Sequence, residues 1–310
     1  MTFRLGLVGL CTSHPLKWTP LIRELAAEDR IDVEIAGVWD DGEVRPSGYA
    51  EEFGREFGIP RVFNSLDQMA AEVDGAIIHA ANWDRRVDLA AVFVDAEKPV
   101  LLDKPIVGTR VDVDTMLGWI AEGARLCGGS SLRHAPEVQS LLAVPEEDRG
   151  RPHTVFVGCG TDTFFYGIHA YSLLCGIMGP GLESVRHLAD AGERLIECAW
   201  DDGRVGIISL AGPGKLPFHA TVVTPRTVSQ FTVDPAGIYR AALEAWLPYL
   251  SGSAVRPPVT AMGLFEPELA ALAAAFSRQE GGSEVGLSEI PDDFHPYDGA
   301  AFVEAYRKKA

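Results

Sequence analysis

The 310-residue chain has few cysteines, a deficit of positive charge and no long apolar run. Its five cysteines are scattered and include no CxxC pair, which argues against a disulfide framework and favours free thiols in the cytoplasm. Only 27 basic residues stand against 44 acidic ones, so the formal net charge is −17. This balance repels nucleic acid and anionic membrane, and we expect neither as a partner.

Metal-binding and membrane patterns are also missing. The eight histidines lack ligand spacing and no HExxH occurs, so no metal is predicted. No apolar stretch approaches the ~20 residues of a spanning helix. The apolar run Leu5–Leu10 is preceded only by Arg4 and followed at once by polar residues, which indicates a first strand and not a signal peptide.

Strand and helix patterns alternate in the first part of the chain. Apolar strand-like runs, separated by stretches with helical spacing, occur at residues 4–9, 33–39, 62–63, 75–79, 100–102 and 126–132. Strands that alternate with helices form a doubly wound parallel sheet. We therefore predict an α/β domain of the Rossmann type over residues 1–127.

The pattern changes beyond residue 152. Longer alternating runs follow one another, and Asp202-Gly203 is a turn signal typical of a β-hairpin. Residues 128–310 are predicted to form an α+β domain, with a large and mostly antiparallel sheet covered by helices on one face.

The stretch Val100–Pro105 is the strongest functional signal. Three apolar residues predict a buried strand, and Asp103 and Lys104 follow at its carboxyl end, where open parallel sheets bind ligands. Pro105 forces the chain to turn there. A lysine at this point can donate or accept a proton beside a bound cofactor.

The turn after the first strand is the expected place of a G-x-G-x-x-G dinucleotide motif. It reads Gly9, Leu10, Cys11, Thr12, Ser13, His14. Only the first glycine remains, and Cys11 and His14 carry a β-carbon where backbone must approach the pyrophosphate or the strand. Thr12 and Ser13 can offer hydroxyls to a phosphate. The turn is therefore predicted to bind a nucleotide, or alternatively to serve packing only.

Two features near this turn refine the prediction. Either Ser13 caps a helix that is kinked at Pro20, or Thr19 caps one that starts there. Asp40 ends the second strand, where a carboxylate can accept hydrogen bonds from a ribose. Its charge would repel a 2′-phosphate, which favours NAD over NADP; the alternative is a solvated turn.

The run from Asp74 to Asn82 and the run from Ala96 to Pro105 resemble the Gfo/Idh/MocA oxidoreductase family. In that family a Glu-Lys-Pro motif ends the fifth strand, and Asp103-Lys104-Pro105 takes its place here. The literal Glu97-Lys98-Pro99 precedes the strand and belongs to the opposite edge of the sheet. The glycine-poor first turn is similar to that of a divergent subgroup.

The resemblance implies roles for individual residues. Lys104 would transfer the proton and contact the nicotinamide ribose, and His169 would be a second acid–base group or a substrate ligand. Further cofactor contacts are implied for Ala80, Asn82, Arg85 and Asp103. Substrate contacts are expected from Arg133, Asp162, Tyr166 and Ser172. Ser172 stands where active members often carry an aspartate.

The resemblance also implies an activity and an assembly. We expect an NAD-dependent oxidoreductase that moves a hydride to or from a sugar, polyol or related hydroxylated small molecule. The alternatives are a catalytically reduced member that acts as a nucleotide- or sugar-binding sensor or partner subunit, and a redox-neutral NAD-using hydrolase or lyase. A homodimer or homotetramer through the C-terminal sheet is expected. Residues 291–298, rich in turn formers, are predicted to form a surface tail more readily than a cover over a partner or the active site.

Overall fold

The computed structural model describes residues 1–160, 164–189, 193–211 and 216–308. The first sheet is parallel and has the strand order β2-β1-β3-β4-β5. Its strands are β1 Phe3–Val8, β2 Val33–Trp39, β3 Gly75–Ile78, β4 Val100–Asp103 and β5 Leu126–Gly129. Every residue of β3 and β4 is buried, as expected for central strands covered on both faces.

Helices separate these strands and cover both faces of the sheet. They are α1 His14–Ala27, α2 Tyr49–Glu56, α3 Leu66–Glu72, α4 Arg86–Asp95 and α5 Arg110–Ala121. Ser13 lies at the N-cap of α1 and Pro20 lies within the helix, so the first of the two predicted starts is confirmed. The Ser13 side chain makes no capping hydrogen bond; instead, Thr12 Oγ1 accepts one from the His14 N–H at 3.2 Å.

The second sheet has the strand order β11-β10-β6-β9-β8-β7-β12. Its strands are β6 Thr154–Gly160, β7 Leu182–Ala189, β8 Glu193–Trp200, β9 Val205–Ala211, β10 His219–Val223, β11 Val228–Thr232 and β12 Val285–Gly286. All neighbours pair antiparallel except β6 and β9, which are parallel. The predicted fold class, a Rossmann sheet followed by a mostly antiparallel sheet with helices, is confirmed.

Six further helices lie among the described residues of the later part of the chain. They are α6 Pro136–Ala143, α7 Glu146–Arg149, α8 Ile168–Met178, α9 Ile238–Leu250, α10 Ala261–Gln279 and α11 Gly299–Arg307. Helix α8 packs on β6 and β9, and α10 packs on β7 and α8. Among the described residues, no helix has the length and hydropathy needed to cross a bilayer.

Helix α9, although it lies in the later part of the chain, packs on the first sheet. Its residues Leu243 and Trp246 share a buried cluster with Leu5 and Leu101 of the first sheet. The indole rings of Trp246 and Trp18 lie 5.5 Å apart. The chain therefore returns to the first sheet to complete one of its faces.

Candidate active site

The loops after β1 and β3 meet at the carboxyl edge of the first sheet. Gly9 has φ +80°, and a β-carbon there would lie 2.9 Å from the backbone nitrogen of Ala80. Only glycine permits both this conformation and this approach. The retained first glycine of the turn therefore holds the two loops together.

Asp103, at the end of β4, is a buried carboxylate surrounded by donors. Its Oδ2 lies 2.7 Å from His14 Nδ1 and 3.0 Å from His79 Nδ1, and its Oδ1 accepts the Lys104 N–H at 2.7 Å. Burial alone raises the pKa of Asp103, but the charges and hydrogen bonds of His14 and His79 hold it well below its usual range. The His14 ring therefore points to Asp103 and stacks on Trp18, with centroids 5.3 Å apart.

Arg86 links two of the loops at this edge, a role that was not predicted from the sequence. Its guanidinium is buried and donates to the Ala80 carbonyl at 2.6 and 3.0 Å, and to the Lys104 carbonyl at 3.3 Å. Burial lowers its pKa to about 10, so the group stays charged at neutral pH. An arginine in the first turn of a helix is usually exposed to solvent, so the sequence pattern did not indicate that Arg86 is buried at the site.

The Lys104 side chain is 5% exposed and reaches the second half of the chain. Its Nζ donates to the Phe165 carbonyl at 2.9 Å and lies 3.7 Å from the Phe165 ring centroid. The Tyr166 ring centroid is 5.3 Å from the same nitrogen. An ammonium over aromatic faces gains cation–π attraction. Phe165 was not predicted, because an aromatic residue before a helix is usually a core residue.

His169 lies in the first turn of α8, with its ring centroid 5.6 Å from that of Tyr166. Burial, followed by the positive charge of Lys104, moves the pKa of His169 well below its ordinary value. The imidazole is therefore neutral at neutral pH. Its Nδ1 lies 2.6 Å from Ser130 Oγ, a hydroxyl that can donate or accept and so can hold either tautomer. Ser130, after β5, was also not predicted.

The loop after β2 carries Asp40. Its Oδ1 accepts the Leu10 N–H at 2.7 Å and its Oδ2 accepts the Gly42 N–H at 3.2 Å. Burial raises the pKa of Asp40, and the hydrogen bond from Leu10 opposes this shift. The carboxylate thus joins the loops after β1 and β2, and each oxygen keeps a second lone pair.

Asn82 and Arg85 bridge from the loop after β3 to the loop after β2. Asn82 Nδ2 donates to Glu43 Oε1 at 3.0 Å. Arg85 pairs with Asp41, and its Nη1 lies 3.7 Å from Glu43 Oε2. We call the space bounded by residues 9–13, 40–44 and 79–82 the carboxyl-edge crevice.

Cys11 lies within this crevice and is covered by the C-terminal helix. It forms a buried cluster with Val44, Ala81 and Val303 of α11. Burial raises the pKa of its thiol to about 12, so it carries no charge. Residues 291–298, expected as a surface tail, are exposed or partly buried. The helix that follows them, α11, buries its apolar side across the crevice, an arrangement that turn residues alone do not reveal.

The residues expected to contact substrate are dispersed. Tyr166 is 44% exposed and lies parallel to the Phe218 ring. Ser172 is buried on α8, three residues after His169. Arg133 lies elsewhere, and its guanidinium donates to the Gly263 carbonyl in α10 at 2.5 Å. Asp162 lies outside the described residues.

Two clusters of side chains at the crevice consist of residue types that can bind metals. His14, His79 and Asp103 place their ligand atoms within 4.8 Å of one another. Both imidazoles direct Nδ1 at the carboxylate at 2.7–3.0 Å, which is hydrogen-bond geometry. The second group, Cys11 with two carboxylates, has a protonated thiol and carboxylates paired with Arg85. In both groups the ligand atoms already take part in hydrogen bonds or ion pairs within the protein.

Residues 3–127 match the sequence profile described as the oxidoreductase family with an NAD-binding Rossmann fold, Gfo/Idh/MocA. The chain carries a Gfo/Idh/MocA domain. The predicted family is confirmed, and the oxidoreductase prediction is confirmed at the level of the family.

Folds similar to that of the whole chain are known. A probable dehydrogenase from Thermotoga maritima has a TM-score of 0.77 at 16% identity, over 93% of this chain and 100% of that one. The Lactobacillus casei myo-inositol dehydrogenase, in complex with NAD(H) and myo-inositol, has a TM-score of 0.72 at 14% identity, over 92% and 97% of the two chains. At these identities the likeness shows the fold alone.

A curated relative matches a shorter stretch. Trans-1,2-dihydrobenzene-1,2-diol dehydrogenase from Danio rerio is 24% identical over 112 residues, which are 35% of this chain and 31% of the relative. The chain thus matches about a third of that relative's length.

Proposed function

We propose that the protein is an NAD-dependent dehydrogenase acting on a sugar, polyol or related hydroxylated small molecule. The observation that carries the proposal is the convergence of Lys104 and His169 on Tyr166, at the carboxyl edge of a family NAD-binding sheet. A similar fold is that of an enzyme named for myo-inositol, and a sequence relative is named for a dihydrodiol, which supports a hydroxylated substrate.

The carboxyl-edge crevice contains the types of group that bind a dinucleotide. Residues 9–13 precede the N-terminus of α1, where backbone N–H groups and the helix dipole favour a phosphate. Asp40 keeps lone pairs for ribose hydroxyls, and its charge favours NAD over NADP. When bound, NAD supplies the hydride acceptor.

Lys104 and His169 would handle the hydroxyl proton of the substrate. The neutral imidazole of His169 can accept a proton, with Ser130 Oγ holding its other ring nitrogen. The Lys104 ammonium would stabilise negative charge on the substrate oxygen as its proton leaves. The exposed ring of Tyr166 would lie beside the substrate.

Replacement of Lys104 by Ala tests the proposal. We expect kcat with NAD and a panel of polyols to fall by about 10²-fold or more, because a positioned group that stabilises the developing negative charge contributes that much. NAD affinity should change little. The matched control is Lys98→Ala, since Lys98 lies before β4 at the opposite edge. Undiminished turnover in Lys104→Ala would contradict the assignment.

A second candidate is a binding protein without turnover. The burial of Cys11, Ala81 and Asn82 beneath protein side chains favours it. A thermal-shift titration with NAD and NADP tests whether either nucleotide binds, since a ligand of the native state raises the melting temperature. Turnover of polyols with NAD then separates the dehydrogenase from a nucleotide-binding protein. If neither nucleotide shifts the melting temperature at millimolar concentration, the dehydrogenase proposal fails.

A further inference from the structure

Helix α11 packs its apolar side against the protein and exposes its opposite side to solvent. Asp298 caps its start by accepting the Ala301 N–H at 2.8 Å. Val303 is only 3% exposed, while Ala305 on the same helix is exposed. The helix therefore has a defined contact side.

That side enters the carboxyl-edge crevice. Val303 packs among Cys11, Val44 and Ala81, which come from the loops after β1, β2 and β3 respectively. Arg307, one turn later, donates through Nε to the Glu43 carbonyl at 2.7 Å. In doubly wound folds these are the loops that surround a bound dinucleotide.

The helix also reaches the aromatic residues around Lys104. The ring of Phe302 lies 4.3 Å from that of Phe165 and 5.1 Å from that of Trp83. Phe165 is the residue whose ring covers Lys104 Nζ at 3.7 Å. Helix α11 therefore spans the crevice from Glu43 to the residue that covers the lysine.

The start of the helix is attached closely. Trp83 Nε1 donates to the Tyr297 carbonyl at 2.9 Å, and the Gly299 N–H donates to Asp84 Oδ2 at 2.8 Å. A β-carbon on Gly299 would lie 2.4 Å from Asn82 Oδ1, so glycine is needed for this approach. These contacts hold α11 in the crevice.

We propose that α11 is an intramolecular cover that competes with the dinucleotide for the carboxyl-edge crevice. The inference rests on the proposed function, because it takes NAD as the competing ligand. Cys11 of the turn shares a buried cluster with Val303, so a pyrophosphate along residues 9–13 would meet the helix. NAD then binds only the molecules whose helix is detached. The apparent affinity for NAD is therefore reduced in proportion to the fraction of molecules in this detached state.

The test compares Val303→Asn with Ala305→Asn, a matched change on the exposed side of the same helix. Calorimetric titration with NAD should show that Val303→Asn binds about tenfold more tightly than the wild type, and that Ala305→Asn binds like the wild type. Hydrogen exchange of the wild-type amides at residues 299–308 should become faster when NAD is added. This second measurement needs no variant.

Three outcomes would overturn the inference. Equal NAD affinity in all three proteins, with unchanged exchange of α11, leaves the dehydrogenase proposal intact and removes the competition. Weaker binding by Val303→Asn makes α11 part of the NAD site. Absence of NAD binding by every protein, at millimolar concentration, overturns both the inference and the proposed function.

Discussion

Asp103 illustrates how one buried charge organises the site. The carboxylate is 1% exposed and is satisfied by His14, His79 and the backbone of Lys104. A buried ion of this kind is stable only while its partners remain. The sequence predicted Asp103 as a site residue, but not that the unusual His14 of the glycine-poor turn is its partner.

Asp103→Asn should therefore destabilise the fold by about 3–5 kcal/mol, because two imidazoles lose the charge they face. Urea unfolding at pH 7 measures the loss. Asp114→Asn is the control, since its exposed ion pair with Arg110 is worth under about 1 kcal/mol. Because the folded pKa of Asp103 is lowered, its contribution is present above the ordinary aspartate pKa and lost as the pH falls through the folded value. Equal losses in the two variants would contradict this account.

At the scale of elements, helix α10 supports the turn that follows Lys104. Glu268 on α10 is 1% exposed, and its Oε1 accepts the Ile106 N–H at 2.9 Å. Burial raises the pKa of Glu268 to about 7. The helix from the later part of the chain thus holds the loop of the first sheet, a contact across 162 residues that local patterns do not contain.

The stability of the protein should depend on the titration of Glu268. The fold holds this proton more tightly than the unfolded chain, so the contribution is fully present below pH 4.5 and is lost as the pH rises through about 7. The difference amounts to about 3 kcal/mol. Denaturant unfolding between about pH 4.5 and pH 8 should show this loss in the wild type relative to Glu268→Gln. Parallel pH curves for the two proteins would rule it out.

At the scale of the whole molecule, the second sheet leaves one face without helices among the described residues. Glu197, Ile207, Phe156 and Thr221 are register neighbours across β8, β9, β6 and β10. Phe156 is 37% exposed there. A sheet face of this kind is suited to association, and we propose that the homodimer or homotetramer forms through it.

Phe156→Arg should dissociate that assembly to the 33.5 kDa monomer, because a charge at the centre of the face would lose its hydration. Light scattering after size exclusion measures the mass. Leu142→Arg is the control, as Leu142 is 39% exposed on α6, away from the sheet. A monomeric wild type, or equal dissociation by both variants, would contradict the proposal.

The sequence by itself determined the parts of the fold that depend on local periodicity. Short apolar runs between helical stretches predicted a parallel, doubly wound sheet, since a strand buried on both faces must be continuously apolar. The position of Lys104 after β4 separated it from Lys98 before the strand, because the direction of a parallel strand decides which edge its end reaches.

Only the tertiary structure decided what lies against that edge. Arg86, Ser130, Phe165 and Glu268 contact the site from separate elements, and nothing in their neighbourhoods in the sequence distinguishes them from surface or core residues. The same holds for α11, whose amphipathic pattern fits a surface helix as well as a cover. Which face a helix packs against depends on contacts distant in the chain, and here those contacts place Val303 in the crevice where the cofactor is expected.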